Sequence, residues 1–344
     1  MASPLRSNGP AEMRAAHAEH GQIVIKEVAE PTPEPGQLLV AVKAAGLNAA
    51  DRLIIKGSYV VGSSTRRAET QPPSIPLGAE ASGEVVAVGE GVIGFAVGDH
   101  VMGVSGSAFA PYALISAALA MPVPEHLSFV EGAAFPVTFT TAHDALLSAG
   151  RMRKGANVLV TAAPSGVGIA ALQLARSLGA GIVGASSRSA AKLGALADAG
   201  LPVDIGIVAD DPGFVDTALA ATHDHGFDIV IDNVGGPALP TYVAVAALRG
   251  RIVSVGRMGG EEGTFNLDEL ARKQLSLVGV SFRTRPVQEI VEVYRRAGED
   301  IVPALAAGHL KVVVDRTFPF EEILAAQDWM QAGRQIGKVV LTFE

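Results

Sequence analysis

The chain has 344 residues, of which 49% are apolar and 18% charged, with a formal net charge of −8 and no cysteine. The acidic balance gives no basic surface for nucleic acid or an anionic membrane. The lack of cysteine excludes disulfides, thiolate catalysis and a thiolate-bound structural zinc. A chain of this length is expected to form two domains or one large domain.

The first residues give no targeting signal. Residues 1–12 lack the long apolar segment of a signal peptide, and they are interpreted as an N-terminal extension ahead of a start at Met13. No apolar run reaches the length of a membrane span. We therefore expect a soluble, cytoplasmic protein with neither a membrane nor a nucleic-acid partner.

The N-terminal third has the pattern of a small, twisted β-domain, because glycine and proline interrupt short runs of alternating apolar residues. A turn with three prolines, residues 30–35, separates the first predicted strands, and the polar segment 60–74 is predicted to be a mobile loop. The predicted strands or strand-rich segments are 13–28, 37–45, 76–101, 110–115 and 118–123. A helical region is predicted over 129–147.

A strand, a tight turn and a helix follow in the middle of the chain. Residues 157–161 are apolar and β-branched, as in a buried parallel strand, and residues 169–178 have helical spacing that ends at Gly179. The small residues between them are Ala163, Pro164, Ser165, Gly166, Val167 and Gly168. Such a turn lets the backbone approach a pyrophosphate at a helix N-terminus. Two of the three glycines of the G-x-G-x-x-G pattern are replaced here, so the turn alone leaves a purely structural role open.

Repetition of this unit supports the nucleotide interpretation. Further strand candidates are 181–187, 228–232 and 251–255, the last two each ending in a turn that contains glycine. Repeated strand–turn–helix units predict an α/β fold with a Rossmann-type, doubly wound parallel sheet. The last strand of this sheet is predicted at about 275–282.

The C-terminal tail contains no further unit of this kind. It is predicted to contain helices 286–297 and 301–307, strand 311–318, helix 320–331 and strand 337–343. We expect the tail to return to the first domain.

The end of the second nucleotide-domain strand indicates the cofactor. Enzymes specific for NAD place an acidic residue there, whereas this chain has Ser186 and Ser187, then Arg188 and Lys192. Hydroxyl, guanidinium and ammonium groups suit a 2′-phosphate and predict NADPH. The alternative is that Arg188 and Lys192 lie on a solvated helix start.

Several ordered motifs together resemble the zinc-independent branch of the medium-chain dehydrogenase/reductase superfamily, and most of all NADPH:quinone oxidoreductases of the zeta-crystallin type. These motifs are Gly46-Leu47-Asn48, Asp51, Gly57-x-Tyr59, Gly78-x-Glu80-x-x-Gly83, Val97-Gly98-Asp99-x-Val101, Ala162-x-x-Ser165-Gly166-Val167-Gly168, Asp232-Asn233-Val234-Gly235-Gly236 and Gly337-Lys338-x-Val340-Leu341. The resemblance implies a GroES-like β-rich catalytic domain from residues 13–134 and 285–344. It also implies a Rossmann NADPH-binding domain of residues 135–284, with a cleft between the two domains.

The resemblance also argues against a catalytic metal. Zinc-dependent members of the superfamily place a cysteine where Asn48 stands and a histidine where Ala79 stands, and neither replacement suits Zn²⁺. The two histidines in the polar segment His223-Asp224-His225 are interpreted as solvated. No metal is therefore expected.

The site residues that the resemblance implies fall into two groups. Asn48 and Tyr59 would donate hydrogen bonds to a developing oxyanion; turn stabilisation by Asn48 and loop packing by Tyr59 are the alternatives. Asp51 is expected to hold the turn rather than to carry protons. The cofactor-binding residues would be Thr141, Ala163, Ser165, Gly166, Val167, Gly168, Ser186, Ser187, Arg188, Lys192, Asn233, Val234, Gly235, Val255, Gly256, Phe282, Arg283 and Arg334. Thr141 has a helix cap as its alternative role, and Arg334 that of a surface arginine.

The implied activity is NADPH-dependent reduction of a small-molecule quinone or α,β-unsaturated carbonyl (enone). Two alternatives stay open: an enoyl-thioester reductase of a fatty-acid or polyketide pathway, and a non-catalytic NADPH-binding protein. A homodimer that pairs through the apolar segment 275–282 is also expected, because an exposed edge of this kind is an aggregation hazard.

Overall fold

The computed structural model describes residues 11–57 and 74–344. Its strands are β1 (Glu12–Glu19), β2 (Gln22–Ala29), β3 (Gln37–Gly46), β4 (Ile75–Pro76), β5 (Glu80–Val88), β6 (His100–Val104), β7 (Tyr112–Ser116), β8 (Ala120–Pro122), β9 (Val158–Val160), β10 (Val183–Ser187), β11 (Ile205–Val208), β12 (Phe227–Asp232), β13 (Ala246–Ser254), β14 (Ser276–Gly279), β15 (Val314–Pro319) and β16 (Lys338–Thr342).

The α-helices are α1 (Ala49–Ile55), α2 (Phe129–Ala133), α3 (Pro136–His143), α4 (Gly166–Ser177), α5 (Ala190–Asp198), α6 (Phe214–Ala221), α7 (Leu239–Val245), α8 (Leu267–Arg272), α9 (Val287–Ala306) and α10 (Ile323–Gln331). A π-helical turn, Asp144–Ala149, continues α3. None of the helices in residues 11–57 and 74–344 combines the length and the hydropathy of a membrane span.

Strands from both ends of the chain build the β-rich domain. Its larger sheet has the order β15-β16-β3-β5-β6-β8, with β7 paired to β3. A smaller sheet has the order β2-β1-β4. The β1–β2 hairpin turns at His20 and Gly21, whose φ angles are 47° and 81°, as a tight hairpin turn requires. Glu12 already pairs with Ala29, so β1 begins one residue before Met13.

The second domain contains the predicted parallel sheet. Its order is β11-β10-β9-β12-β13-β14, and every neighbouring pair is parallel. The strand order changes direction between β9 and β12, which is the point where doubly wound sheets bind ligands. The predicted α/β class, with a Rossmann-type sheet and a β-rich GroES-like domain, is confirmed.

Apolar residues cover both faces of this sheet. Val158 and Val160 pack in one core with Ile169 and Leu172 of α4, whereas Leu159 between them packs in another core with Phe214 of α6. This alternation explains why the short strand is apolar throughout. The sheet therefore forms the middle layer of three.

The helical predictions need one correction. The predicted helices 286–297 and 301–307 are one helix, α9, because Tyr294, Ala297, Ile301 and Leu305 form one continuous buried stripe across the supposed break. Pro303 lies inside this helix. The predicted helical region 129–147 contains α2, α3 and most of the π-helical turn, and Pro136 begins α3 as its first residue.

Gly168 supports a testable prediction because α4 passes very close to the preceding turn. A Cβ on Gly168 would lie 2.5 Å from the carbonyl oxygen of Ala163 and 2.7 Å from that of Ala162. We expect Gly168→Ala to lower the free energy of unfolding by about 1–3 kcal/mol, as other overpacked cores do. Urea denaturation followed by circular dichroism measures this change.

Gly194 of α5 provides the matched control. Apart from the neighbouring residues and the backbone of α5 itself, no atom of the described chain lies within 4 Å of a Cβ placed there. Gly194→Ala should therefore stabilise the protein by about 0.5–1 kcal/mol, because alanine is the better helix former. Equal stability of the Gly168→Ala variant and the unmodified protein would contradict the packing argument.

Candidate functional site

The turn between β9 and α4 forms the centre of the candidate site. Ser165, at the second glycine position of the pattern, is the N-cap of α4, and its Oγ accepts a hydrogen bond from the Gly168 N–H at 3.1 Å. Ala163 is buried, and its N–H donates to the Ser186 carbonyl at the end of β10 at 2.9 Å. Gly166 and Val167 begin α4. Serine thus replaces a glycine here because its side chain supplies a helix cap.

The end of β10 presents an arginine to solvent. Ser186 and Ser187 are buried, and the Oγ of Ser187 accepts a hydrogen bond from the Ser189 N–H at 3.2 Å. Arg188 follows directly and is exposed. The guanidinium therefore stands at the carboxyl edge of the sheet, one strand away from the turn before α4.

The ammonium group of Lys192 is already hydrogen-bonded within the protein. Its Nζ donates to the carbonyls of Gly333 and Gln335, at 2.7 Å each, in the segment before β16. Desolvation lowers the pKa of Lys192. Arg334 lies between these two carbonyls, with its guanidinium 5.4 Å from the centre of the Trp329 ring. Lys192 thus ties the nucleotide domain to the segment that carries Arg334.

The ends of β12 and β13 meet the same edge of the sheet. Asn233 donates its backbone N–H to Thr161 Oγ1 at 2.9 Å and its side-chain amide to the Thr161 carbonyl at 2.8 Å. The N–H groups of Val234 and Gly235 both donate to the Asp232 carboxylate, whose pKa burial raises. These contacts fix the loop that follows β12.

Val255 and Gly256 extend this edge by one strand. Both N–H groups donate to the Asp232 carbonyl, at 2.8 and 3.1 Å. A Cβ on Gly256 would lie 2.3 Å from the Asn233 carbonyl oxygen, so only glycine fits. The structure therefore brings the predicted residues Asn233, Val234, Gly235, Val255 and Gly256 together beside the turn before α4.

Three other predicted cofactor residues lie near the return to the β-rich domain or in α3. Phe282 packs edge-on against Tyr294, with ring centres 6.1 Å apart, and the Arg285 guanidinium lies 5.0 Å from the Phe282 ring. Arg285 also pairs with buried Asp144 at 2.9 Å. Arg283 and Thr141 are both half-buried. Phe282 is thus a packing residue in this conformation.

A buried charged cluster surrounds Asn48. Lys338 Nζ lies 2.8 Å from Asn48 Oδ1 and 2.6 Å from Glu80 Oε1, and it also donates to the Leu47 carbonyl. Glu80 is fully buried. Sequence reasoning used Glu80 and Lys338 only as family markers and missed this cluster. Charged residues within otherwise apolar strands were the available signal, because such residues are rarely buried unless paired.

These contacts change the expectation for Asn48. Its Nδ2 donates to the Gly46 carbonyl at 3.1 Å and to Glu80 Oε1 at 2.9 Å, so both N–H bonds of the amide are used. In this arrangement Asn48 holds the turn, and its amide N–H bonds end on acceptors within the protein. Tyr59, the other predicted donor, lies outside the described residues.

Asp51 completes the turn as a buried carboxyl group. Its Oδ2 accepts the Asn48 N–H at 2.7 Å, and no described residue gives a hydrogen bond to its Oδ1. Burial raises the pKa of Asp51 from 3.8 to about 7, against the lowering effects of the Asn48 N–H and of Lys338.

Neither metal-ligating side chains nor the cavity beside β6 and β8 indicate a second candidate site in the described chain. Residues 11–57 and 74–344 contain no cluster of three histidine, aspartate or glutamate side chains able to hold a metal ion. His225 instead lies 3.0 Å from Asp228. A cavity of about 490 Å³ beside β6 and β8 is lined by Phe95, Val123 and Leu127 among others, and its lining includes none of the predicted site residues.

Comparison with known families matches both domains. Residues 34–125 match the alcohol dehydrogenase GroES-like domain, and residues 166–297 match the zinc-binding dehydrogenase domain. The first match lies within the β-rich domain, and the second covers the Rossmann-type sheet from α4 onward and extends into α9.

The similar proteins fall into two groups. Quinone oxidoreductase of Rattus norvegicus is 28% identical over 92% of both chains, and the synaptic vesicle membrane protein VAT-1 homolog of the same species is 31% identical over 90% of this chain and 78% of its own. The polyketide synthase system protein NorB of Streptomyces orinoci is 34% identical over 97% of this chain. This chain spans only 14% of NorB.

Solved structures are similar over nearly the whole chain as well. The CurK enoyl reductase superposes with a TM-score of 0.83 at 27% identity, covering 97% of this chain and 99% of its own. Mycobacterial Rv1454c complexed with NADPH superposes with a TM-score of 0.83 at 26% identity, covering 96% of this chain and all of its own.

The buried carboxyl of Asp51 leads to a prediction about pH. Because its pKa is raised in the folded state, its contribution to stability is complete below pH 3.8 and is lost as the pH rises through about 7. Asp51→Asn keeps an oxygen that can accept the Asn48 N–H but cannot ionise. Between pH 5 and pH 8 the variant should gain at least about 1.4 kcal/mol of stability relative to the unmodified protein, the equivalent of one pKa unit.

Denaturant titrations across this pH range measure the difference. Asp99→Asn is the matched control, because exposed Asp99 likewise accepts a backbone N–H three residues earlier, from Ala96 at 2.8 Å. Its stability profile should follow that of the unmodified protein. A constant offset between the Asp51→Asn and unmodified profiles would show that Asp51 does not titrate in this range.

Proposed function

The chain belongs to the zinc-independent quinone oxidoreductase branch of the medium-chain dehydrogenase/reductase superfamily, and from this premise we propose that it is an NADPH-dependent reductase of quinones or enones. The observation that carries the proposal is the buried cluster around Asn48. An ammonium group lies 2.8 Å from the Asn48 amide oxygen, at the position where zinc-dependent members place a metal ligand. A cation at this position would be repelled by Lys338, so the residues do not fit a catalytic zinc.

The residues at the carboxyl edge of the parallel sheet fit a dinucleotide. Gly166 and Gly168 lie where a Cβ would meet other atoms at less than 3 Å, so the turn is as compact as a backbone cradle for a pyrophosphate requires. The start of α4 leaves the N–H groups of Gly166 and Val167 for a negative charge, because the Gly168 N–H already donates to the Oγ of Ser165. When bound, the nicotinamide supplies the hydride.

Arg188 is the proposed partner of the 2′-phosphate. It is exposed and follows two serines at a strand end without an acidic residue. Lys192 uses its ammonium group on the Gly333 and Gln335 carbonyls. We infer that it acts indirectly, by holding the segment that carries Arg334. That one structural neighbour is complexed with NADPH supports this choice of cofactor.

Reduction of a conjugated system suits a site without a metal. Hydride addition to the far carbon of an enone spreads the new charge into an enolate, which needs less stabilisation than an isolated alkoxide. Neutral hydrogen-bond donors in a water-poor cleft then suffice. Because the Asn48 amide is committed to Glu80 and Gly46, the proposed donor is Tyr59, on the strength of the family resemblance. Asn48 instead stabilises the turn before α1.

An enoyl-thioester reductase is the second candidate. The similarity to NorB and to the CurK enoyl reductase favours it. An enone and an enoyl thioester both present a carbon–carbon double bond conjugated to a carbonyl and differ in the group attached to that carbonyl, whereas a quinone is reduced to a hydroquinone. Comparing turnover of a simple enone, a naphthoquinone and a crotonyl thioester of coenzyme A separates them.

A homodimer paired through β14 is proposed as the assembled form. β14 is the edge strand of the parallel sheet, and its Leu277 is 46% exposed. Exposed apolar edges of this kind are usually covered by a second copy. Light scattering at micromolar concentration should give the mass of a dimer, and a clean monomer would refute the pairing.

Cofactor preference gives the first functional prediction. A charged hydrogen bond to phosphate contributes about 1.5–3 kcal/mol, so NADPH should bind at least about tenfold more tightly than NADH. Arg188→Gln should remove most of this preference, because it weakens only NADPH. Lys192→Gln should weaken both cofactors equally. Fluorescence titration with each cofactor measures the dissociation constants.

The control for this experiment is Arg153→Gln, which removes an exposed arginine ahead of β9, at the opposite edge of the sheet. It should leave both dissociation constants unchanged. Tighter binding of NADH by the unmodified protein, or equal loss of both cofactors in Arg188→Gln, would disprove the assignment of Arg188.

Turnover gives the second functional prediction. The unmodified protein should oxidise NADPH with an enone or quinone as acceptor, followed at the nicotinamide absorbance. Tyr59→Phe should lower kcat/KM about 100- to 1000-fold with nearly unchanged NADPH affinity, because one oxyanion donor is lost.

Tyr112→Phe, on β7 of the β-rich domain, is the matched control and should keep full activity. Full activity of Tyr59→Phe would assign the oxyanion contact to another group. Oxidation of simple alcohols without any reduction of conjugated acceptors would refute the proposed reaction.

A further inference from the structure

Lys338 connects segments that are far apart in the chain. Its ammonium group donates to the Leu47 carbonyl, to Asn48 Oδ1 at 2.8 Å and to Glu80 Oε1 at 2.6 Å. The lysine is 5% exposed and Glu80 is fully buried. All three N–H bonds of Lys338 thus end on acceptors in the β-rich domain, which fixes its charged end.

The other end of the same residue touches the turn before α4. A Cβ placed on Gly166 would lie 2.9 Å from Cδ and 3.2 Å from Cγ of Lys338, so the lysine stem packs directly on this backbone. The N–H of Gly337 donates to the Pro164 carbonyl at 2.8 Å, and Gly337 pairs with Ser165 as a parallel bridge. The turn and the start of β16 are therefore held together by backbone and side chain.

Glu80 closes a ring of contacts around Gly166. Its Oε2 accepts the Val137 N–H in the first turn of α3 at 2.7 Å. The methyl group of Thr138, the next residue, would lie 2.8 Å from a Cβ on Gly166. If either Lys338 or Glu80 moved out to solvent, the other would stay buried without its partner. An unpaired buried charge is strongly destabilising, so the two groups are expected to move together. A shift of the Gly166 backbone must therefore move Lys338, Glu80 or both.

We propose that Lys338 is a positioning residue that couples occupation of the turn before α4 by the dinucleotide to the placement of the Asn48 amide. The turn would hold the dinucleotide phosphate, and a turn fixed in this way would keep the lysine stem in its present contact with Gly166. The ammonium end then holds Leu47, Asn48 and Glu80 in the geometry described above. The catalytic consequence of this coupling rests on the proposed function, whereas the coupling itself does not.

Hydrogen–deuterium exchange measures the coupling without turnover. Binding of NADPH, or of NADH if it binds more tightly, should slow amide exchange in residues 162–168 and also in residues 47–51. The second effect reports the coupling, because these amides belong to the other domain. A merely structural role of Lys338 would change exchange equally with and without the dinucleotide.

The test variant removes both charges together. Lys338→Met alone leaves the Glu80 carboxylate buried without its partner and is expected to unfold the junction. Glu80→Gln/Lys338→Met avoids this imbalance while it removes the ammonium bridge. In the double variant the dinucleotide should still protect residues 162–168, and the protection of residues 47–51 should be lost.

Lys273→Met is the matched control. Lys273 also donates to three acceptors, the carbonyls of Val243, Ala244 and Ala246, at the end of α7 and away from the site. This variant should keep the dinucleotide-induced protection of residues 47–51. In activity assays the double variant should lose about tenfold in kcat while its dissociation constant for the dinucleotide changes less than about threefold, as expected for misplaced groups.

The outcomes distinguish this inference from the proposed function. Protection of residues 47–51 that persists in the double variant overturns the role of Lys338, as does its absence in the unmodified protein when residues 162–168 are protected. Failure of both dinucleotides to protect residues 162–168 also overturns it. If coupling is observed but no conjugated acceptor is reduced, the proposed function fails and the role of Lys338 stands.

Discussion

The direction of the strands in the parallel sheet is the constraint on which the candidate site depends. Since all neighbours from β11 to β14 run parallel, the turns that leave β9, β10, β12 and β13 meet at one edge. Backbones crowd there, as the contacts of Gly168 with Ala163 and of Gly256 with Asn233 show. Small residues occupy these positions because the sheet brings main chain against main chain. The resulting edge has few side chains to block an extended, charged ligand.

The same edge lies against the β-rich domain, and polar contacts mark the junction. Lys192 reaches across to two carbonyls, and the start of β16 pairs with the turn before α4. Interfaces between domains of one chain are commonly polar and permit relative motion. Here Lys338 gives this junction a fixed element, because its ammonium group pairs with buried Glu80 inside the β-rich domain while its stem packs on Gly166 of the turn before α4.

The nucleotide domain was predictable from the sequence because its signals are local. A run such as residues 157–168 carries strand, turn and helix in one window, and the turn residues lie where their chemistry is needed. The contacts of Asn48 were not predictable in this way, since its partners Glu80 and Lys338 are 32 and 290 residues away. Lys192 is a similar case, with carbonyl partners more than 140 residues along the chain. The error in α9 lay at residues 298–300, which the sequence prediction left outside both helices although the buried stripe continues past them.

The pairing of β16 with β3 has a consequence for the order in which the chain folds during synthesis. Leu341 pairs with Ala45, so residues 44–46 of β3 lack this neighbour until β16, nearly 300 residues later, has been synthesised, whereas residues 37–41 pair with β7. The parallel sheet between them consists of consecutive segments and can form earlier. Contacts between residues so distant in sequence form slowly, and an uncovered strand edge invites pairing with other chains. β16 therefore joins β15 to β3 and covers this strand edge in the same step.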